Sequence, residues 1–122
     1  MIDHLSVQCA DVATSAAFYD AVLAPLGGTR LMDFGQAVGY GVDRPEFWIG
    51  QRQTGEGFRE AHIAFTAATR AVVEAFREAA VAAGGEVLHE PRIWPEYHPH
   101  YFGAFVRDPD GNNVEAVCHA AE

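Results

Sequence analysis

One unit of this chain is written twice. His4 is followed 23 positions later by Gly27, the first of a Gly-Gly pair, and His62 is followed 22 positions later by Gly84, the first of another. An internal repeat of this size means one supersecondary unit used twice, so a side chain in one copy has a counterpart in the other. In the first copy, Leu5, Val7 and Cys9 alternate with His4, Ser6 and Gln8, a strand over Ile2–Cys9. Asp11 then stands as an N-cap for a helix over Val12–Ala24. Phe18, Tyr19, Val22, Leu23 and Leu26 fall at helical spacing on one face, before Pro25 and Gly27-Gly28 stop it. Short strands follow over Thr29–Phe34, Ala37–Val42 and Glu46–Gln51. The stretch 52–59, with Gly55 and Gly57, reads as a linker between module 1 (1–51) and module 2 (60–119).

The second copy has a strand over Glu60–Thr66 and a helix over Thr66–Ala83, with Val72, Phe76, Ala79, Ala80 and Ala83 on its apolar stripe. Strands over Glu86–His89, Tyr101–Arg107 and Asn113–Cys118 complete it. Gly28 to Gly39 is 11 positions and Gly85 to Gly103 is 18, so the second copy carries an insertion, holding Trp94, Tyr97, His98 and His100. The last two strands are joined by Asp108-Pro109-Asp110-Gly111-Asn112, a tight turn. Alternation beyond it puts Asn113, Glu115, Val117 and His119 on one strand face and Val114, Ala116 and Cys118 on the other. A carboxylate on a strand among Val and Ala is costly to bury unless it is paired or bound to metal. In a duplicated fold, His4, His62 and Glu115 can converge. Two imidazoles and a carboxylate form a set that binds Zn, Ni, Fe or Mn and leaves positions open for substrate.

Composition removes several other classes. Seventeen acidic residues against eight basic ones give a net charge of −9, and all eight are arginine. Nucleic-acid binding is disfavoured, and lysine-based covalent chemistry is excluded. No phosphate-binding loop, dinucleotide fingerprint or nucleophile elbow occurs. Cys9 and Cys118 lie near opposite ends with no zinc-ribbon spacing and read as small buried hydrophobes. No apolar run is long enough to span a membrane and no leader pattern opens the chain, so the expectation is a cytoplasmic protein without a membrane partner. The length is that of one domain.

The duplicated unit, the early strand histidine in each copy and the DPDGN turn leading to a strand glutamate resemble the vicinal oxygen chelate superfamily. That superfamily includes glyoxalase I, fosfomycin-resistance enzymes, extradiol dioxygenases and bleomycin-resistance proteins. The resemblance implies an α+β fold of two βαβββ modules forming an open, cupped mixed sheet. It implies one divalent metal ion per site, with His4, His62 and Glu115 as ligands, a small-molecule substrate, and a homodimer in which both subunits' modules can build each site.

The glyoxalase I pattern places a further carboxylate in the last strand of the first module. Aligning Gly39 with Gly103 and shortening the first module's turn by three residues puts Trp48 there, with Glu46 as a nearby alternative. Three ligands fit glyoxalase isomerisation less well than thiol transfer to an epoxide or dioxygen activation. Trp48, Phe47, Tyr40, Trp94, Tyr97 and Tyr101 make the expected pocket wall aromatic, which suits an apolar chelating molecule better than a polyanion. The inserted loop reads as a lid whose Tyr97, His98 or His100 orients substrate or exchanges protons, alongside Glu115. The alternative is a non-catalytic binder of the drug-sequestering kind, favoured by Trp48 standing in a ligand's place.

Overall fold

The computed structural model describes residues 1–122. The elements in order are β1 (Leu5–Cys9), α1 (Val12–Leu23), a 3-10 turn (Ala24–Leu26), β2 (Thr29–Asp33), β3 (Ala37–Gly41), β4 (Phe47–Gln51), β5 (His62–Thr66), α2 (Arg70–Ala82), β6 (Val87–Ile93), β7 (Phe102–Arg107) and β8 (Asn113–Cys118). They form two open four-stranded mixed sheets, ordered β1-β4-β3-β2 and β5-β8-β7-β6. Each is a βαβββ unit in which the first strand pairs in parallel with the last and the middle strands run antiparallel. The first strand of each unit is therefore a sheet edge.

The helices form where apolar residues recur at helical spacing, and they start and stop on local signals. Thr69 caps α2, its hydroxyl oxygen accepting from the Val72 N–H at 3.3 Å. Gly27 and Gly84 end the helical segments with φ of 81° and 83°, a conformation that glycine adopts without penalty. The second helix starts four residues later than periodicity predicted, because Ala67–Thr69 lead into the cap. Its buried stripe is Val73, Phe76 and Ala80 rather than the expected set with Val72, Ala79 and Ala83.

The helices pack against each other, and one core of 20 buried residues takes side chains from both units. Val38, Tyr40, Phe47 and Ile49 supply it from the first sheet, and Ala104, Val106, Val114, Ala116 and Cys118 from the second. Phe47 meets Phe65 edge to face across the junction at 5.2 Å. A polar latch also ties the units. The Tyr19 hydroxyl donates to buried Asp108 at 2.7 Å, and Asp110 accepts from the Ala10 N–H and the Ser15 hydroxyl. The DPDGN turn of the second unit thus holds the start of the first unit's helix. Asp108 also accepts from the backbone and side chain of Asn112, so its carboxylate is satisfied where it is buried.

Candidate functional site

The alternation of β8 decides the site. Val114, Ala116 and Cys118 face the core, so Asn113, Glu115 and Val117 turn to the opposite sheet face. Glu115 is 1% exposed, flanked in register by Ala64 on β5 and Phe105 on β7. His62 opens β5 on the same face, its Nε2 3.1 Å from Glu115 Oε2. The other carboxylate oxygen, Oε1, accepts from the Tyr101 hydroxyl at 2.5 Å. Burial and the adjacent carboxylate push the Tyr101 phenol above its ordinary value, so it remains a donor. Gly103 makes this approach possible: a Cβ there would lie 3.0 Å from Glu115 Oε1 and 3.3 Å from the Tyr101 ring.

This pair fits a divalent cation. Glu115 is a buried carboxylate whose only partner able to carry positive charge is a half-exposed histidine, a situation that calls for compensating positive charge. The 3.1 Å between the imidazole nitrogen and the carboxylate oxygen is also the span of adjacent ligands each about 2.1 Å from a first-row ion. His4, the third expected ligand, lies elsewhere in the chain. No group of three His, Cys, Asp or Glu side chains comes within ligating reach inside one chain. His4 instead sits on the first sheet's open side, in a cavity with Asp3, Ser6, Arg44 and Trp48. Its Nδ1 is 2.7 Å from Asp3, which leaves Nε2 free. Strand β1 begins at Leu5, so His4 precedes the strand rather than lying within it.

Trp48 occupies the counterpart of Glu115, pairing with Ser6 as Glu115 pairs with Ala64. The glycine alignment behind that expectation needs correction. Trp48 pairs with Gly39, whereas Glu115 pairs with Phe105 and Gly103 with Val117. Counted on paired residues, the first module's turn is one residue shorter, not three, and the second module's insertion is two residues longer. Glu46, the alternative ligand, is exposed and lies 3.5 Å from Arg44.

The expected aromatic wall divides into three groups. Phe47 and Tyr40 are removed from it, because they sit on the helix-facing side of their sheet at 5% and 1% exposure. The Tyr40 hydroxyl is spent on the Ala16 carbonyl and Asp20. Trp94 is a support rather than a wall. Its ring is covered by Arg92, His89, Tyr97 and Phe105, and its N–H donates to the Gly103 carbonyl at 3.0 Å. Of the expected set, Trp48, stacked with exposed Phe34, and Tyr97 and Tyr101, in contact with each other, remain; Phe105, outside that expectation, stacks on His62 at 5.9 Å.

His98 and His100 lie on the inserted loop, and the Glu115 carboxylate is bonded by Tyr101 and His62 rather than by either of them. His98 contacts His119 and the Tyr101 ring. Two further histidines belong to this neighbourhood. His89 packs on Trp94 and Phe105, and His119 joins His98. Register could have found His89: it pairs with Phe105, which pairs with Glu115. Of the five arginines that could serve as cations for a polyanion, Arg30, Arg44 and Arg92 are paired with carboxylates, whereas Arg52 and Arg59 make no ion pair and line a separate cavity with Gln8 and Asp110.

The chain was compared with known proteins. A family description, "Glyoxalase-like domain", matches residues 4–117. A glyoxalase/bleomycin resistance protein from Albidiferax ferrireducens T118 is similar over 95% of this chain and 97% of its own, at 28% identity and a TM-score of 0.85. Lactoylglutathione lyase from Agrobacterium tumefaciens shares the fold at 22% identity and a TM-score of 0.71, over 97% of this chain and 92% of its own. The fosfomycin resistance protein FosX from Listeria monocytogenes does so at 15% identity and 0.73, over 98% and 93%. No curated protein matches. The chain belongs to the glyoxalase-like domain family of the vicinal oxygen chelate superfamily.

Proposed function

We propose that the protein is a divalent-metal-dependent enzyme acting on a small molecule that offers two neighbouring oxygens, by lyase, isomerase or dioxygenase chemistry. The observation that carries this reading is the pairing of His62 with the buried carboxylate of Glu115 at 3.1 Å. His62 and Glu115 would hold the ion, and His4 of the partner subunit would complete the set in a homodimer. The free edges of β1 and β5 and the exposed, half-engaged His4 support that arrangement. A bound divalent ion would supply Lewis-acid stabilisation of negative charge on a substrate oxygen.

The chain's own residues do the rest. Tyr101 fixes the carboxylate by its hydrogen bond to Oε1, leaving Oε2 turned to His62. Phe105 backs the His62 ring and limits its rotation. Tyr97, 59% exposed on the inserted loop, would close over an apolar substrate and exclude water. The net charge of −9 and the pairing of Arg30, Arg44 and Arg92 with acids argue against a polyanionic substrate, and the unpaired Arg52 and Arg59 line a different cavity from the one beside His4 and Trp48.

The test is elemental analysis of untagged protein beside Glu115→Gln. About one divalent ion per chain, with affinity lowered by at least about tenfold in the variant, is the expected result. Equal metal content in both proteins would sink the reading. Trp48, stacked with exposed Phe34 where a fourth ligand would stand, favours a second reading as a drug-sequestering binder. Absence of any ion that Glu115→Gln loses, after incubation with Mn, Fe, Ni and Zn, together with ligand quenching of Trp48 fluorescence, would decide for it.

A further inference from the structure

We propose that His98 and His119 form a second cation site, separate from His62 and Glu115, selective for imidazole-preferring divalent ions such as Cu(II), Ni(II) and Zn(II). His98 Nε2 and His119 Nδ1 are 2.8 Å apart, and the rings meet nearly in line through these nitrogens, with centroids at 5.1 Å and planes 27° apart. That nitrogen separation is close to the roughly 3 Å between neighbouring ligands on an ion bound at about 2.1 Å. The two residues come from different elements, the inserted loop and the end of β8, and are 21 positions apart. Tyr101 orients both: its ring meets His98 at 5.4 Å and His119 at 5.2 Å, nearly edge-on in each case. Neither histidine has a carboxylate partner, unlike His4 and His62.

The proton balance is explicit. The His100 N–H donates to His98 Nδ1 at 3.1 Å, which places the His98 proton on Nε2, pointing at His119 Nδ1. An ion binding both nitrogens needs the two rings to pivot until their lone pairs converge, and sends that proton to Nδ1 through solvent. The His100 N–H, on an exposed loop, turns to water in exchange. Two imidazoles then face the ion and water fills its remaining positions, a donor set that suits copper, nickel and zinc better than magnesium or calcium. Such an ion would staple the inserted loop, and with it Tyr97, to the end of β8.

The test uses Cu(II) as the probe, titrated into chelator-treated Glu115→Gln protein and followed by calorimetry and electron paramagnetic resonance. One copper per chain with coupling to two imidazole nitrogens is expected. Adding His119→Ala should weaken it on the order of a hundredfold, since a chelating pair becomes a single ligand. His98→Ala should do the same, and the double variant should lose the residual single-imidazole binding as well. Unchanged affinity in His119→Ala, no copper uptake, or a one-nitrogen signal would overturn the proposal. Failure of the His62–Glu115 reading is distinguishable: wild type and Glu115→Gln would then bind equal numbers of ions, while His119→Ala still removed one.

Discussion

The two modules share a scaffold and differ in what they do with one position. In the second, β8 offers Glu115, clamped by Tyr101 and His62 beneath Gly103. In the first, β4 offers Trp48, lying over Gly39 and stacked with Phe34. Each module uses a glycine to admit a side chain to the open face, a carboxylate in one case and an indole in the other. Duplication supplies two equivalent places, and the chemistry at each is set by the residue on the last strand and the group that fixes it. The comparison also locates asymmetry in the turns, since only the second module's turn reaches across to the other module's helix.

The glycines give the sharpest way to break this comparison. A Cβ at Gly39 would sit 2.8 Å from the Trp48 ring and 2.9 Å from Pro45. Gly39→Ala should therefore cost about 3 kcal/mol of stability, with metal content unchanged. Gly103→Ala should cost about 1 kcal/mol and displace the Glu115 carboxylate, lowering metal affinity. Urea titration with metal analysis reads both, and identical behaviour of the two variants would remove the distinction drawn between the modules.

Next in size, Tyr19→Phe leaves buried Asp108 short of one donor while Asn112 still serves it. A loss of about 2 kcal/mol is expected, against about 1 kcal/mol for Tyr40→Phe, whose partner Asp20 is exposed and also paired with Arg30. Equal losses would show that the latch contributes nothing particular. Tyr101→Phe frees Glu115 Oε1 and should lower metal affinity by about tenfold, with little change in the urea midpoint.

The smallest effect is alkaline. Burial, then the Asp108 charge, raise the Tyr19 phenol well above its ordinary value of 10.0. Unfolded tyrosine loses its proton above about pH 10 while folded Tyr19 keeps it, so the unfolded state binds fewer protons there and stability falls as pH rises. The contribution is whole below pH 10. Between pH 9 and 10.5 the loss should be under about 1 kcal/mol, and it should be smaller in Tyr19→Phe.

Much of the fold could be read from the sequence because its signals were local and repeated. The helices, the strands and the alternation that turns Glu115 from the core all follow from period and punctuation. His62 and Glu115 were readable because the repeat marked one and the DPDGN turn the other, and they meet because they lie two register positions apart on one face of neighbouring parallel strands. What could not be read depended on which face a strand turns inward and on count-shifting insertions. Phe47 and Tyr40 are aromatic and near Trp48 in sequence, yet alternation puts them on the core side. His89 and His119 carried no motif, and only the pairing of β6 with β7 and the path of the inserted loop bring them to Trp94 and His98.

The latch between Asp108 and Tyr19 joins residues 89 positions apart. A half-chain ending before the linker would retain a helix whose first turn has lost Asp110, and a second half would carry a buried carboxylate with no phenol. The modules are thus duplicated in form but not interchangeable as cassettes. Melting should proceed as a single event, and the connecting stretch 52–59 is where a cut would leave two fragments still held together.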